Sequence, residues 1–148
     1  MASALAADDA TLRAQRLRGT VLSHRDWMRA DRFRTRLNAD WRALFREFDV
    51  VLCPVMPTAA FPHDHTPQAE RRIVIDGKDV SYRDQVMWAG VATLTGLPAT
   101  AMPIGLSSGG LPIGMQCVGP YLEDRTPLQF AAMVERELGG FVAPPGYA

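Results

Sequence analysis

Two adjacent serines between glycines, "GLSSGG" at Gly105–Gly110, are the residues in this chain best suited to nucleophilic chemistry. Glycines let a hydroxyl stand on a tight, exposed turn. A working nucleophile also needs a base within hydrogen-bond reach and N–H groups around the developing oxyanion. Lys78 is the only lysine in the chain, and it belongs to a hairpin signal that nothing in the sequence brings to Ser107 or Ser108. The pair therefore reads as a turn, where serine and glycine serve ordinary backbone needs. "HDH", His63–His65, offers two imidazoles and a carboxylate, but imidazoles two residues apart with no neighbouring cysteine lack the spacing of a structural zinc set. A solvated loop is expected there, and no metal ligands are assigned. Cys53 and Cys117 lie in the apolar runs "VVLCPV" and "GMQCVG". They read as thiols in buried strands, with one disulfide left open.

The elements that must carry these residues fall into two stretches. From Ser23, Phe33, Leu37, Trp41, Leu44 and Phe48 recur at helical spacing with arginines on the other faces, and Ser23 with Asp26 resembles a capping box. The period then changes. "DVVLCPV" is a short valine-rich run, the kind of strand a sheet covers on both faces, and proline-punctuated loop follows it. "RRIVIDGKDVSY" predicts a hairpin turning at Asp76-Gly77. "YRDQVMWAGVATLTG" predicts a helix stopped by Gly96, and "ATAMPIG" and "IGMQCVG" predict strands joined by "LSSGGLP". In "TPLQFAAMVERELGG", Thr126 is expected to cap, Pro127 to sit in the first turn, Gln129 to complete a capping box, and Gly139 and Gly140 to end the helix.

With 148 residues and zero formal net charge, the chain has the size of one ordinary domain and no global field toward nucleic acid or a membrane surface. Arginines crowd Arg13–Arg46, but Asp26, Asp31, Asp40 and Glu47 are interleaved with them, which favours an ion-paired helix face over a nucleic-acid surface. No run approaches the roughly 20 apolar residues of a membrane helix. The N-terminal "MASALAADDA" lacks the basic and apolar regions of a secretory signal. A cytoplasmic protein is expected.

"FDVVLCPVMPTAAFP" followed by "TLTGLPATAMPIGLSSGGLPIGMQCVGPYLEDRTPLQFAAMVE" resembles the C-terminal part of the amidase signature family, over about Trp41 to Leu138. The resemblance rests on Asp49, the strand ending at Pro54, Thr95-Gly96-Leu97-Pro98-Ala99, Pro103-x-Gly105, and Gly110-Leu111-Pro112-Ile113-Gly114-x-Gln116. It implies hydrolysis of carboxamide C–N bonds through a serine acyl-enzyme, using a serine, a cis-serine and a lysine that lie upstream of this segment in full-length members. It implies neither metal nor organic cofactor. Within this segment it implies walls of the substrate pocket, and Trp88, with Met87 and Thr93 beside it, is the candidate for substrate contact. Gln116 reads as a buried amide that satisfies backbone groups, and Glu123 and Asp124 as partners of the last helix's dipole.

The expectation is therefore an α/β protein, the C-terminal part of an amidase-signature fold, with a mixed β-sheet flanked by helices. It forms one unit over residues 1–148, helical over 1–48 and built of strands, hairpins and helices over 49–148. Its own residues supply no catalytic group, so the chain alone is expected to be silent. Its partners would be a small amide substrate and either the missing N-terminal portion or a second copy. The alternative is a non-catalytic structural or partner-binding chain, a complementing half or a truncated relic.

Overall fold

A computed structural model describes residues 11–147 of the protein. The reading of the N-terminal ten residues falls outside them. Helix α1 (Leu12–Thr20) opens on Thr11, whose hydroxyl accepts from the Ala14 N–H at 3.2 Å. Helix α2 (His24–Leu44) starts at the expected cap: the Ser23 hydroxyl accepts from the Asp26 N–H at 3.1 Å and donates to its carboxylate at 2.6 Å. The apolar stripe is less covered than its spacing suggests. Leu37 and Trp41 are half-buried, Phe33 is 62% exposed, and α2 has no buried residue. Phe48 is off the helix altogether, because α2 ends at Leu44 and the chain turns through Phe45–Glu47.

Five strands follow: β1 (Val51–Pro54), β2 (Arg72–Ile75), β3 (Lys78–Ser81), β4 (Ala99–Leu106) and β5 (Pro112–Val118). β2 and β3 form the expected hairpin, with Asp76 at φ 50° and Gly77 at φ 75°, the left-handed pair that a two-residue turn requires. The other three form a sheet in the order β1-β5-β4, antiparallel at both pairings. β1 is therefore an edge strand, alternately half-buried and exposed, and not a strand covered on both faces. Its valine-rich run satisfies the sequence criterion for a doubly covered strand, but β5 is the strand that occupies the centre.

Side chains alternate across a sheet, so the register assigns two faces. Val51, Cys53, Gln116, Val118, Ala99 and Ala101 share one, while Leu52, Met115, Cys117, Thr100 and Met102 share the other. Helix α4 (Arg125–Leu138) lies on the second face, where a Cβ added at Gly119 would stand 2.5 Å from Cδ of Pro127. On the first face, after a 3₁₀ helix over Tyr82–Val86, sits α3 (Met87–Thr95), ended by Gly96 at φ 68°. The chain is thus α/β, with helices on both faces of an antiparallel sheet segment. Among the described residues the buried apolar core is Ala14, Ile73, Ala92, Met102, Cys117 and Val118.

One cap is corrected. Helix α4 begins at Arg125, with Asp124 at the N-cap making no side-chain capping bond. Thr126 lies inside the first turn and its hydroxyl reaches Glu123 Oε2 at 3.3 Å, so the Thr126–Gln129 box does not form. Glu123 and Asp124 do stand at the helix entry, where the dipole favours negative charge. Pro127 sits in the first turn and Gly139 ends the helix at φ 88°.

Candidate functional site

The ends of β1, β4 and β5 and the loop after β1 enclose an open groove of about 870 Å³. Val55, Met56, Thr58, Ile104, Ile113 and Met115 are among its walls. Apolar walls with few polar groups suit the uncharged part of a small ligand. The Thr58 hydroxyl oxygen is buried without a hydrogen-bond partner. Beside this groove the β4–β5 register shifts at a bulge between Pro103 and Gly105, where Gly105 takes φ 143°. Glycine is the residue that reaches this conformation without strain, which accounts for the Pro-x-Gly spacing.

Gln116 fixes the groove to the rest of the sheet. Its side-chain nitrogen donates to the carbonyls of Pro54 at 3.0 Å and Trp88 at 2.9 Å, joining β5, β1 and α3 through one buried amide. The reading of Gln116 as a satisfier of backbone groups holds. Trp88 is tied into the site through its main chain, while its indole is half-buried. Met87 is 61% exposed, and Thr93 is exposed with its hydroxyl donating to the Ala89 carbonyl at 2.9 Å. At about 100° per helical residue, Met87, Trp88 and Thr93 leave α3 in three directions. The structure does not gather them on one face, and none of them is among the groove walls.

Ser107 and Ser108 lie in the β4–β5 turn. The Ser107 N–H donates to the Leu111 carbonyl at 2.8 Å, and its hydroxyl accepts from the Leu111 N–H at 3.1 Å. The Gly110 N–H closes the turn on the Ser107 carbonyl at 2.9 Å. Lys78 is exposed at the tip of the other hairpin, in the separate β2–β3 sheet. Ser107 is thus occupied in holding a turn.

Cys53 and Cys117 are both free thiols, and the register sends them to opposite faces of the sheet, Cys53 opposite Gln116 and Cys117 opposite Leu52. Cys117 is fully buried, and burial, with a smaller effect from Cys53, pushes its thiol up to about 11. Burial also raises Cys53, partly offset by a hydrogen bond with Gln116. At "HDH" the His63 and His65 rings stand 6.2 Å apart, edge to face. Asp64 is held below the usual carboxylate range, first by the backbone N–H of Thr66 and then by its hydroxyl. Among the described residues no group of three or more His, Cys, Asp or Glu side chains is placed to hold a metal ion. The arginine-rich helix carries ion pairs, Arg29 with Asp26 at 3.6 Å and Arg34 with Asp31 at 2.6 Å. Among the described residues no helix is long and apolar enough to cross a membrane.

The amidase family model matches residues 5–128. The chain belongs to the amidase family. The match begins well before Trp41, so it takes in the helical stretch as well as the glycine–proline segments. Among curated relatives, a glutamyl-tRNA(Gln) amidotransferase subunit of Thermus thermophilus is 41% identical over 107 residues, covering 72% of this chain and 20% of that protein. The corresponding subunit of Maricaulis maris is 34% identical over 119 residues, covering 80% of this chain and 22% of that protein. The chain thus spans about a fifth of the length of these relatives. A crystal structure of an amidase superposes with a TM-score of 0.68 at 27% identity, over 83% of this chain and 27% of that one.

Sequence alone does not reveal the groove. Its walls come from the loop after β1 and from two strands about fifty residues later, and in the sequence those prolines announce only a loop.

Proposed function

We propose that this chain supplies a sheet segment and one wall of the substrate groove of an amide C–N hydrolase whose nucleophile comes from a part not contained in it. The observation carrying this reading is surface. Among the described residues, large apolar side chains such as Trp27, Phe33, Val86 and Met87 are each more than half exposed, where a self-sufficient small domain would cover them. In this reading a serine outside the chain attacks the amide carbonyl, the amine leaves, and water releases the acyl group. The apolar groove holds the acyl or aryl portion, and Met87, Trp88 and Thr93 contact substrate or the covering part. A cytoplasmic location accompanies this role.

The test is hydrolysis of an anilide by the purified chain, alone and with the remaining amidase portion supplied in trans. Turnover only on complementation supports the reading. Turnover by the chain alone, abolished when Ser107 and Ser108 are both replaced by alanine, overturns it.

A second reading, a non-catalytic partner or self-associating chain, draws on the same exposed apolar surface and on relatives named as one subunit of an amidotransferase. Sedimentation separates the two: a stable dimer with no gain of activity on complementation favours the second.

A further inference from the structure

A second cleft, of about 500 Å³, opens between the loop after β1 and the base of the β2–β3 hairpin. Phe61, His63, Asp64, His65, Arg71 and Tyr82 line it. Its aromatic side is ordered: the Phe61 and Tyr82 rings meet edge to face at 6.0 Å, and the Arg71 guanidinium carbon stands 5.6 Å from the centre of the Tyr82 ring. That cation–π contact, with the hydrogen bond from Arg71 Nε to the Thr66 carbonyl at 2.7 Å, holds the guanidinium by its ring contact and its inner nitrogen. Its two terminal nitrogens keep their donors. Arg29, Arg34 and Arg72 each have a carboxylate within ion-pair distance; among the described residues Arg71 has none.

The one carboxylate in the cleft is already engaged. Asp64 Oδ1 accepts from the Thr66 N–H at 2.9 Å and from the Thr66 hydroxyl at 2.7 Å. Arg71 and His65 contribute only secondarily to holding Asp64 ionised. A positioned guanidinium fork, two imidazoles and an aromatic wall thus face one cavity, with a single negative charge turned onto its own loop.

We propose that this cleft binds a small aromatic oxyanion, a carboxylate or phosphate joined to a ring. The Arg71 fork takes two oxyanion oxygens, the imidazole N–H groups of His63 and His65 supply further donors, and the ring lies against Phe61 and Tyr82. The site does not depend on amide hydrolysis, and its test reads binding alone.

The test follows the Arg71 side-chain Nε–H signal by NMR in the full chain during titration with benzoate, phenyl phosphate and neutral benzamide. Saturable shifts with an anion and none with benzamide are expected, and the tighter of the two anions identifies the headgroup. Arg71→Gln should weaken binding at least about tenfold, the scale of hydrogen bonds to a charged group. Arg71→Lys, which keeps the charge and loses the fork, should fall between, and it carries the test if the glutamine variant loses the hairpin fold. Asp64→Asn keeps the acceptor for Thr66 while removing the like charge, so it should tighten binding several-fold. Absence of saturation at millimolar anion, equal shifts with benzamide, or weaker binding in Asp64→Asn would each overturn the proposal. The last result, together with a zinc-induced shift of both histidine rings, would assign the cleft to a cation.

Discussion

Strand β5 and helix α2 are both long, regular and apolar on one side, yet they end in opposite environments. From Gln116 to Gly119 every residue of β5 and its exit is buried, between β1 and β4 in the sheet and between α3 and α4 across it. Helix α2 has 21 residues and none of them is buried. The difference lies in who supplies the partner. The C-terminal half of β5 finds its neighbours within this chain, whereas α2 has α3 along part of one side and a surface still rich in aromatic groups. A well-formed cap and i,i+3 ion pairs are enough to specify a helix locally, but packing supplies most of its stability. A clear apolar pattern in sequence can therefore mark a finished core or an unfinished one.

The contrast fails most visibly if β5 tolerates change. Gln116→Ala removes the donor from the Pro54 and Trp88 carbonyls, and losing both part-buried hydrogen bonds should cost about 1–3 kcal/mol in denaturant unfolding. A cost below about 1 kcal/mol would mean that water replaces the amide and that β5 is not sealed. Gly119→Ala drives a methyl group against Pro127 and should cost about 1–3 kcal/mol, with α4 displaced. Unchanged stability would place α4 farther from the sheet.

Alkaline titration sharpens the same point. Folding holds the Cys117 proton up to about 11, against an ordinary 9.0, so the stabilisation is complete below pH 9 and is lost as pH rises toward 11. Thermal unfolding should therefore move to lower temperature across that window, and Cys117→Ala should lack that part of the slope. Iodoacetamide should label Cys53 before Cys117; the reverse order would contradict the burial of β5.

Replacing Ser107 and Ser108 with alanine should cost about 1 kcal/mol, from the hydrogen bond to the Leu111 N–H, and leave complemented activity intact. The smallest effect belongs to α2. Phe33→Ser should change the stability of the chain by less than about 0.5 kcal/mol while sharply weakening complementation. A large stability loss would show that α2 is already packed, and the comparison would collapse.

What the sequence discloses follows how local each interaction is. Asp76-Gly77, Gly96 and the Ser23 cap are decided by neighbouring residues, and each appears where its motif predicts. Gln116 is legible in kind, since an amide within a buried strand needs carbonyl partners, though not in which two it reaches. The α4 cap departs from its motif because the helix starts earlier, at Arg125 with Asp124 at the N-cap, and the Thr126 hydroxyl donates to the Glu123 carboxylate instead of capping. Neither cleft is legible. The groove joins residues some fifty positions apart, and the oxyanion cleft combines a loop that reads as solvated with Arg71 and Tyr82, which carry no motif.

Pro54, the last residue of the edge strand β1, has a consequence for how the chain behaves in solution. Proline has no N–H to offer a neighbouring strand, so pairing with a stray copy would stop after a few residues. Exposed apolar side chains favour contact between copies, and this residue interrupts the strand edge along which such copies would pair.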